Sequence, residues 1–437
     1  MPHFPDLSAL FEQFALWADL RHEQGAEVRR EIARVRKAIE SARHRLEKTR
    51  LPKSAAIREP NALTAIRARR PKGPRRLCTG LPPDRFMDRL RGAWLGRAAG
   101  CTLGVPVESW PVKEMEGLAR MGGQPFPPRD YWAVHPRKDD VHHNVNRYRD
   151  YLSGHIRGIP VDDDLAYTIL GLIILERYGP EFTTDDVAEA WLKHLPLAWT
   201  AEEVTLKNLR NGVAPARAGG IGNPYQEWIG ADIRSDAWGY AAAGWPEKAA
   251  EFAYRDAYLS HRGNGIYGAM FFAATIAAAF VVDDPLEAIR IGLTEIPREC
   301  RLAREVKWAL RTASRLRDWR DARDRVEKRF SGMHHVHTIN NACLTIFGLV
   351  MGNGDFTRTI GQTVAMGFDN DCTAATAGSI LGAVIGLRRI PGRWWRPFGN
   401  RCFTYLHGVP TLANDEIVER FAALTLHIQG CMGRVQV

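Results

Sequence analysis

Apolar residues in this chain recur at helical rather than strand spacing almost from end to end. Val28, Ile32, Val35, Ile39, Ala42 and Leu46 form an a/d seam flanked by Arg, Lys and Glu, and Leu7, Phe11 and Phe14 extend the register upstream of Gly25. The seam predicts helix over residues 7–49, suited to a helical hairpin or a homodimer contact. Residues 51–83 hold Pro52, Pro60, Pro71, Pro74, Pro82 and Pro83 among many Arg, the marks of a linker. Beyond it the spacing predicts helices over 85–100, 165–178, 185–194, 247–259, 268–282, 285–291, 299–319, 338–351, 357–367 and 373–387. Strand alternation is almost absent. Residues 119–160 and 208–246, rich in Gly, Pro, Trp and Tyr, read as long binding loops or lids. The pattern therefore predicts an all-α, orthogonal multi-helix globule over 84–437, preceded by a helical extension over 1–50 and a linker over 51–83.

Charge changes this picture in one place. The net charge is +10, but residues 1–80 hold 18 Lys/Arg against 9 Asp/Glu, whereas the remainder is nearly balanced. The basic character belongs to the extension, where a solvated helix face is favoured over a nucleic-acid contact. Seven scattered cysteines without a CxxC pair argue for reduced thiols and a cytoplasmic protein. The first dozen residues are too polar for a signal peptide, and the apolar run from Met270 to Val282 is too short to span a bilayer. It reads as a buried helix, and no membrane partner is expected.

The chemistry concentrates in two acidic clusters. Val161-Asp162-Asp163-Asp164 opens one apolar helical run and Asp369-Asn370-Asp371-Cys372 opens another. Each Asp could simply cap its helix, accepting orphan N–H groups. If the clusters converge, their mutual repulsion calls for a cation, and all-oxygen ligands suit Mg²⁺, Mn²⁺ or Ca²⁺. Ala374, Gly378, Gly382 and Gly386 make the second helix smooth on one face, so another backbone can approach and fix Asp369 and Asp371.

Four segments in order carry a family resemblance: Asp88-Arg-Leu-Arg-Gly-Ala-Trp-Leu-Gly96, Gly100-Cys-Thr-Leu-Gly104-Val-Pro-Val-Glu108, the Asp162 cluster, and Gly367-Phe-Asp369-Asn-Asp371-Cys372 running on to Gly378 and Gly382. Together they resemble the ADP-ribosylglycohydrolase family over roughly residues 84–400. The resemblance implies an all-α fold, one or two Mg²⁺ or Mn²⁺ ions, and cleavage of a ribosidic bond. It implies Asp162 and Asp163 as front ligands and Asp369 and Asp371 as rear ligands, with Asp164 adding a carboxylate. Val161 and Cys372 stand where the family pattern has Thr, and Cys101 where it has Asp. Glu108, at the family's mobile acidic position, is implied as general acid or base beside the metal, sharing proton transfer with Asp163 or Asp164.

Two further stretches are candidates for substrate contact. Asn223, Glu227 and Arg234 fall in a polar, aromatic-rich segment, and His261 and Asn264 in Ser260-His-Arg-Gly-Asn-Gly265, where backbone N–H groups could meet an anion. Arg234 and His261 are the phosphate candidates. Asn341 either faces the cleft or bridges helices. Three functions stay open at this point: a metal-dependent hydrolase of the N- or O-ribosidic bond of an ADP-ribosyl or related ribosyl substrate, small or attached to an acceptor; a nucleoside- or nucleotide-type metabolite ribosyl hydrolase that does not act on protein; and an inactive binding or structural relative.

Overall fold

Helices dominate the computed structural model, which describes residues 4–50, 52–53, 58–78, 82–143 and 145–431; parts of the 51–83 segment thus lie outside the described residues. The chain divides into two compact units, one made of 1–58 with 330–334, the other of 59–329 with 335–437. In the smaller unit the predicted single helix is two, Pro5–Glu23 and Arg29–Glu47. Gly25 sits between them at φ +82°, a left-handed conformation that ends a helix cheaply only at glycine. Along the second helix Val28, Ile32, Val35 and Ala42 are half-buried, whereas Ile39 and Leu46 are exposed.

Helix Leu63–Arg69 and the residues after it pack on the larger unit rather than running free as a linker. Arg70 and Arg75 both reach the buried Glu295, at 2.6 and 2.7 Å, so the Arg-rich composition serves specific ion pairs. In the larger unit, strands are confined to two short antiparallel pairs among the described residues. Helix Asn264–Ala279 is buried along its whole length, as the apolar run predicted. The predicted helix over 299–319 is instead Arg301–Ala313, followed by a separate helix Trp319–Arg329. Among the described residues no helix is long and apolar enough to cross a membrane.

The feature that positions the site is an antiparallel crossing of helices Pro83–Gly104 and Asn370–Ile385. A Cβ added at Gly96 would lie 2.5 Å from the Gly378 carbonyl oxygen, and one at Gly100 only 2.0 Å from that of Ala374. Backbone therefore meets backbone, and the smooth face read from the sequence finds its partner in the glycines at 92, 96, 100 and 104. Gly104 ends the seam against the Asp371 backbone. Gly100→Val should lower stability by about 2–3 kcal/mol, because neither backbone can retreat. Denaturant unfolding would measure it, and a change within 0.5 kcal/mol would contradict this packing.

Candidate functional site

The two acidic clusters converge. Asp162 caps helix Asp163–Tyr178, its Oδ1 accepting the Asp164 N–H at 3.0 Å. Asp369, at the start of helix Asn370–Ile385, makes no such capping bond, so capping does not account for its position. One ligand atom from each of Asp164, Asp371 and Cys372 falls within 4.8 Å of the others, joining front to rear. Glu108, Asp369 and Asp371 form a second such group. Glu108 follows a single 3₁₀ turn, Val105–Val107, and the loop is tied down by Ser109 N–H donating to the Phe368 carbonyl at 3.0 Å. That bond brings Glu108 beside Asp369 across a long sequence separation.

Glu108, Asp163, Asp369, Asp371 and Cys372 border a cavity of about 100 Å³, and Asp162 and Asp164 are not in its wall. A larger groove, about 540 Å³, lies at the opposite end of helix Pro83–Gly104 beside Asp84 and Leu387. It is remote from the converging carboxylates, so volume alone does not mark the site. The small cavity does, by its chemistry. Burial and neighbouring carboxylates push Glu108, Asp162 and Asp369 well above the ordinary carboxylate range. Burial also raises Asp163 and Asp371. Asp371 Oδ1 is buried with no hydrogen-bond partner. Clustered carboxylates with an orphaned oxygen fit a divalent cation, which would supply the missing positive charge and a partner for that oxygen.

Asp164 has a different task. It accepts from buried Arg97 at 2.8 Å and from the Cys372 thiol at 3.1 Å. Arg97 also pairs with Asp236 at 2.7 Å and donates to the Asp164 and Ile233 carbonyls. Burial still pushes Asp164 up to about 8, against the pull of Arg97. Its two oxygens are thus both engaged, by Arg97 and by Cys372. Burial and the surrounding carboxylates push the Cys372 thiol well up, so it is a neutral donor.

The structure does not bring the six substrate candidates to the cavity wall. Arg234 is buried between Glu202 at 2.6 Å and Asp256 at 2.7 Å, its charge already matched. His261 is fully buried with Nδ1 on Ser260 Oγ at 2.8 Å, and burial beside Arg234 holds it neutral, unsuited to a phosphate. Asn223 donates to the carbonyls of Gly219 and Ser260, and Glu227 accepts from Asn264. Asn341 donates to the His335 and His337 carbonyls while its Oδ1 accepts from Asp369 N–H at 3.4 Å. Asn341 therefore supports the site from behind. The sequence could not display these partners, each of which comes from a distant segment.

Conversely, the wall contains His142, His143, Tyr167, Trp199 and Glu202, which sequence reading passed over. Both histidines belong to the hairpin of Val141–His142 and Asn146–Arg147. The adjacent pair inside a long loop was the available signal. Glu202 opens helix Thr200–Arg210, and burial against the pull of Arg234 raises it to about 7. The loop aromatics do less than expected at the site: Tyr131, Trp132, Tyr151 and Trp238 are core residues.

A family model described as ADP-ribosylglycohydrolase matches residues 82–425. Among solved structures, a chain of an "ADP-ribosylglycohydrolase-related protein complex" aligns at 20% identity with a TM-score of 0.53. The alignment covers 78% of this chain and 98% of that one, a likeness of fold. No curated protein matches.

Proposed function

This chain belongs to the ADP-ribosylglycohydrolase family, and from that premise we propose that it is a metal-dependent hydrolase of a ribosidic bond. The observation that carries the reading is the convergence of Glu108, Asp163, Asp369 and Asp371 on one cavity around an unpartnered buried oxygen. Asp162, Asp163, Asp369 and Asp371 would hold one or two divalent ions, with Asp164 steadied by Arg97 behind them. A bound ion would supply Lewis acidity toward the ribose oxygens and an attacking water. Loss of the leaving group gives the sugar oxocarbenium character, which the surrounding carboxylates stabilise electrostatically. Glu108, on a loop and 24% exposed, is placed to take a proton from water or give one to the leaving group.

Two features favour the smaller-metabolite version of this reading over an ADP-ribosylated acceptor. The cavity, about 100 Å³, suits a ribosyl group rather than a whole ADP-ribose. Its wall, among the described residues, carries no Arg or Lys to meet a pyrophosphate. Chelated protein titrated with Mn²⁺ and then ribose, a nucleoside or ADP-ribose would discriminate by thermal shift. We expect stabilisation by metal, enlarged by ribose or the nucleoside at least as much as by ADP-ribose. A further rise specific to ADP-ribose would return the choice to the ADP-ribosyl substrate, and no response to any metal would favour the inactive relative.

A further inference from the structure

The hairpin histidines sit where all-oxygen chemistry would not put them. His143 Nε2 lies 3.6 Å from Glu108 Oε2, and His142 Nε2 lies 4.0 Å from the same oxygen. The three side chains offer donor atoms all within 4.8 Å of one another. Neither distance is a hydrogen bond. Four donors placed tetrahedrally at about 2.0–2.1 Å from one ion stand roughly 3.4 Å apart, so these side chains need close in by only a few tenths of an ångström on the Glu108 side.

We propose that His142, His143 and Glu108 form a mixed nitrogen–oxygen position for a borderline divalent ion such as Zn²⁺, Co²⁺ or Fe²⁺, adjoining the carboxylate ligands. This rests on the metal-dependent reading of the site and adds a position for a different ion class beside it, with Glu108 a ligand there only while that position is filled. Imidazole nitrogen suits these ions, whereas Mg²⁺ and Ca²⁺ seek oxygen. The surroundings support the assignment. His142 Nδ1 lies 3.3 Å from Tyr148 Oη, and a bond donated from Nδ1 to that hydroxyl would leave the Nε2 lone pair facing Glu108. The Tyr148 ring is itself held by stacking on His135, with centroids 4.4 Å apart. His142 is buried, so its ring is held in place beside Glu108. Asp371, whose Oδ1 is buried and unpartnered, lines the same cavity and shares a second close group of donor atoms with Glu108.

The test uses chelated full-length protein titrated with Co²⁺, with binding followed by calorimetry and by the visible cobalt spectrum. Mg²⁺ titrations run in parallel, on the parent, His142→Ala, His143→Ala and Asp371→Asn. We expect the parent spectrum to show the strong bands of low-coordinate, nitrogen-ligated cobalt. Each His variant should lose those bands and bind Co²⁺ at least about tenfold more weakly, with Mg²⁺ affinity little changed. His143 is partly exposed, so its removal leaves the fold intact, and circular dichroism of each variant checks this. Unchanged cobalt spectra and affinities in both His variants, with loss in Asp371→Asn, would overturn the imidazole assignment and leave the carboxylate site standing. Absence of Co²⁺ and Mg²⁺ binding to the parent would overturn both.

Discussion

Asp371→Asn is expected to abolish the metal-induced thermal shift and to cut hydrolysis about 10³-fold, or roughly 4 kcal/mol of transition-state stabilisation. Yet the same substitution should stabilise the metal-free protein. In the parent, Asp371 is buried beside Asp163, Asp164 and Glu108, with one oxygen lacking any partner. Each charge there raises the cost of ionising its neighbours. A neutral amide of the same shape removes one repulsive member and keeps the packing against Gly104. In chelator, the variant should therefore melt above the parent by a few degrees, whereas in saturating Mn²⁺ the order should reverse. This crossing separates a ligand site from a merely structural carboxylate, whose replacement would lower stability under both conditions. If a divalent ion still bound Asp371→Asn with parental affinity, the rear ligand assignment would be wrong.

The carboxylates were legible because each cluster lies within a few residues of a helix start, where sequence spacing alone fixes relative position. The glycine face was legible for the same reason, since four-residue spacing on one helix is a local property. What failed were features decided by tertiary partners. Arg234 looks in sequence like a phosphate ligand, but Glu202 and Asp256 come from two other helices to neutralise it. His261 reads as an anion contact until burial strips its charge. His142 and His143 were hidden by the reverse effect: a hairpin inside a stretch without helical periodicity carries them to Glu108. Helix Thr200–Arg210 escaped because its apolar positions are few, with Leu206 and Leu209 on one face. Its consequence was larger than its size, because Glu202 stands at its start.

Metal stabilisation should grow steeply with pH. Unfolded carboxylates titrate near 4, whereas burial lifts those of the folded, metal-free site, with Asp164 reaching about 8 and Glu202 about 7. Between these limits the folded state holds protons that the unfolded state has released. The contribution of these groups is therefore complete below about pH 4 and is lost as pH rises toward 8. Buried histidines act in the opposite sense: His142 is depressed to about 3, so the unfolded chain takes up the proton as pH falls below about 6.5. Stability of the chelated protein alone would mix the two effects. The difference between metal-loaded and chelated protein isolates the ligand carboxylates, because groups outside the coordination sphere contribute alike to both. An ion must displace the protons that burial leaves on those raised carboxylates, so its apparent affinity should rise with pH over the range in which they still hold them. Calorimetry in buffers of differing ionisation enthalpy would count the protons released, with one or more expected per ion. Binding that is independent of pH and releases no proton would mean that the carboxylates are already ionised without metal, and the electrostatic argument for the site would fall.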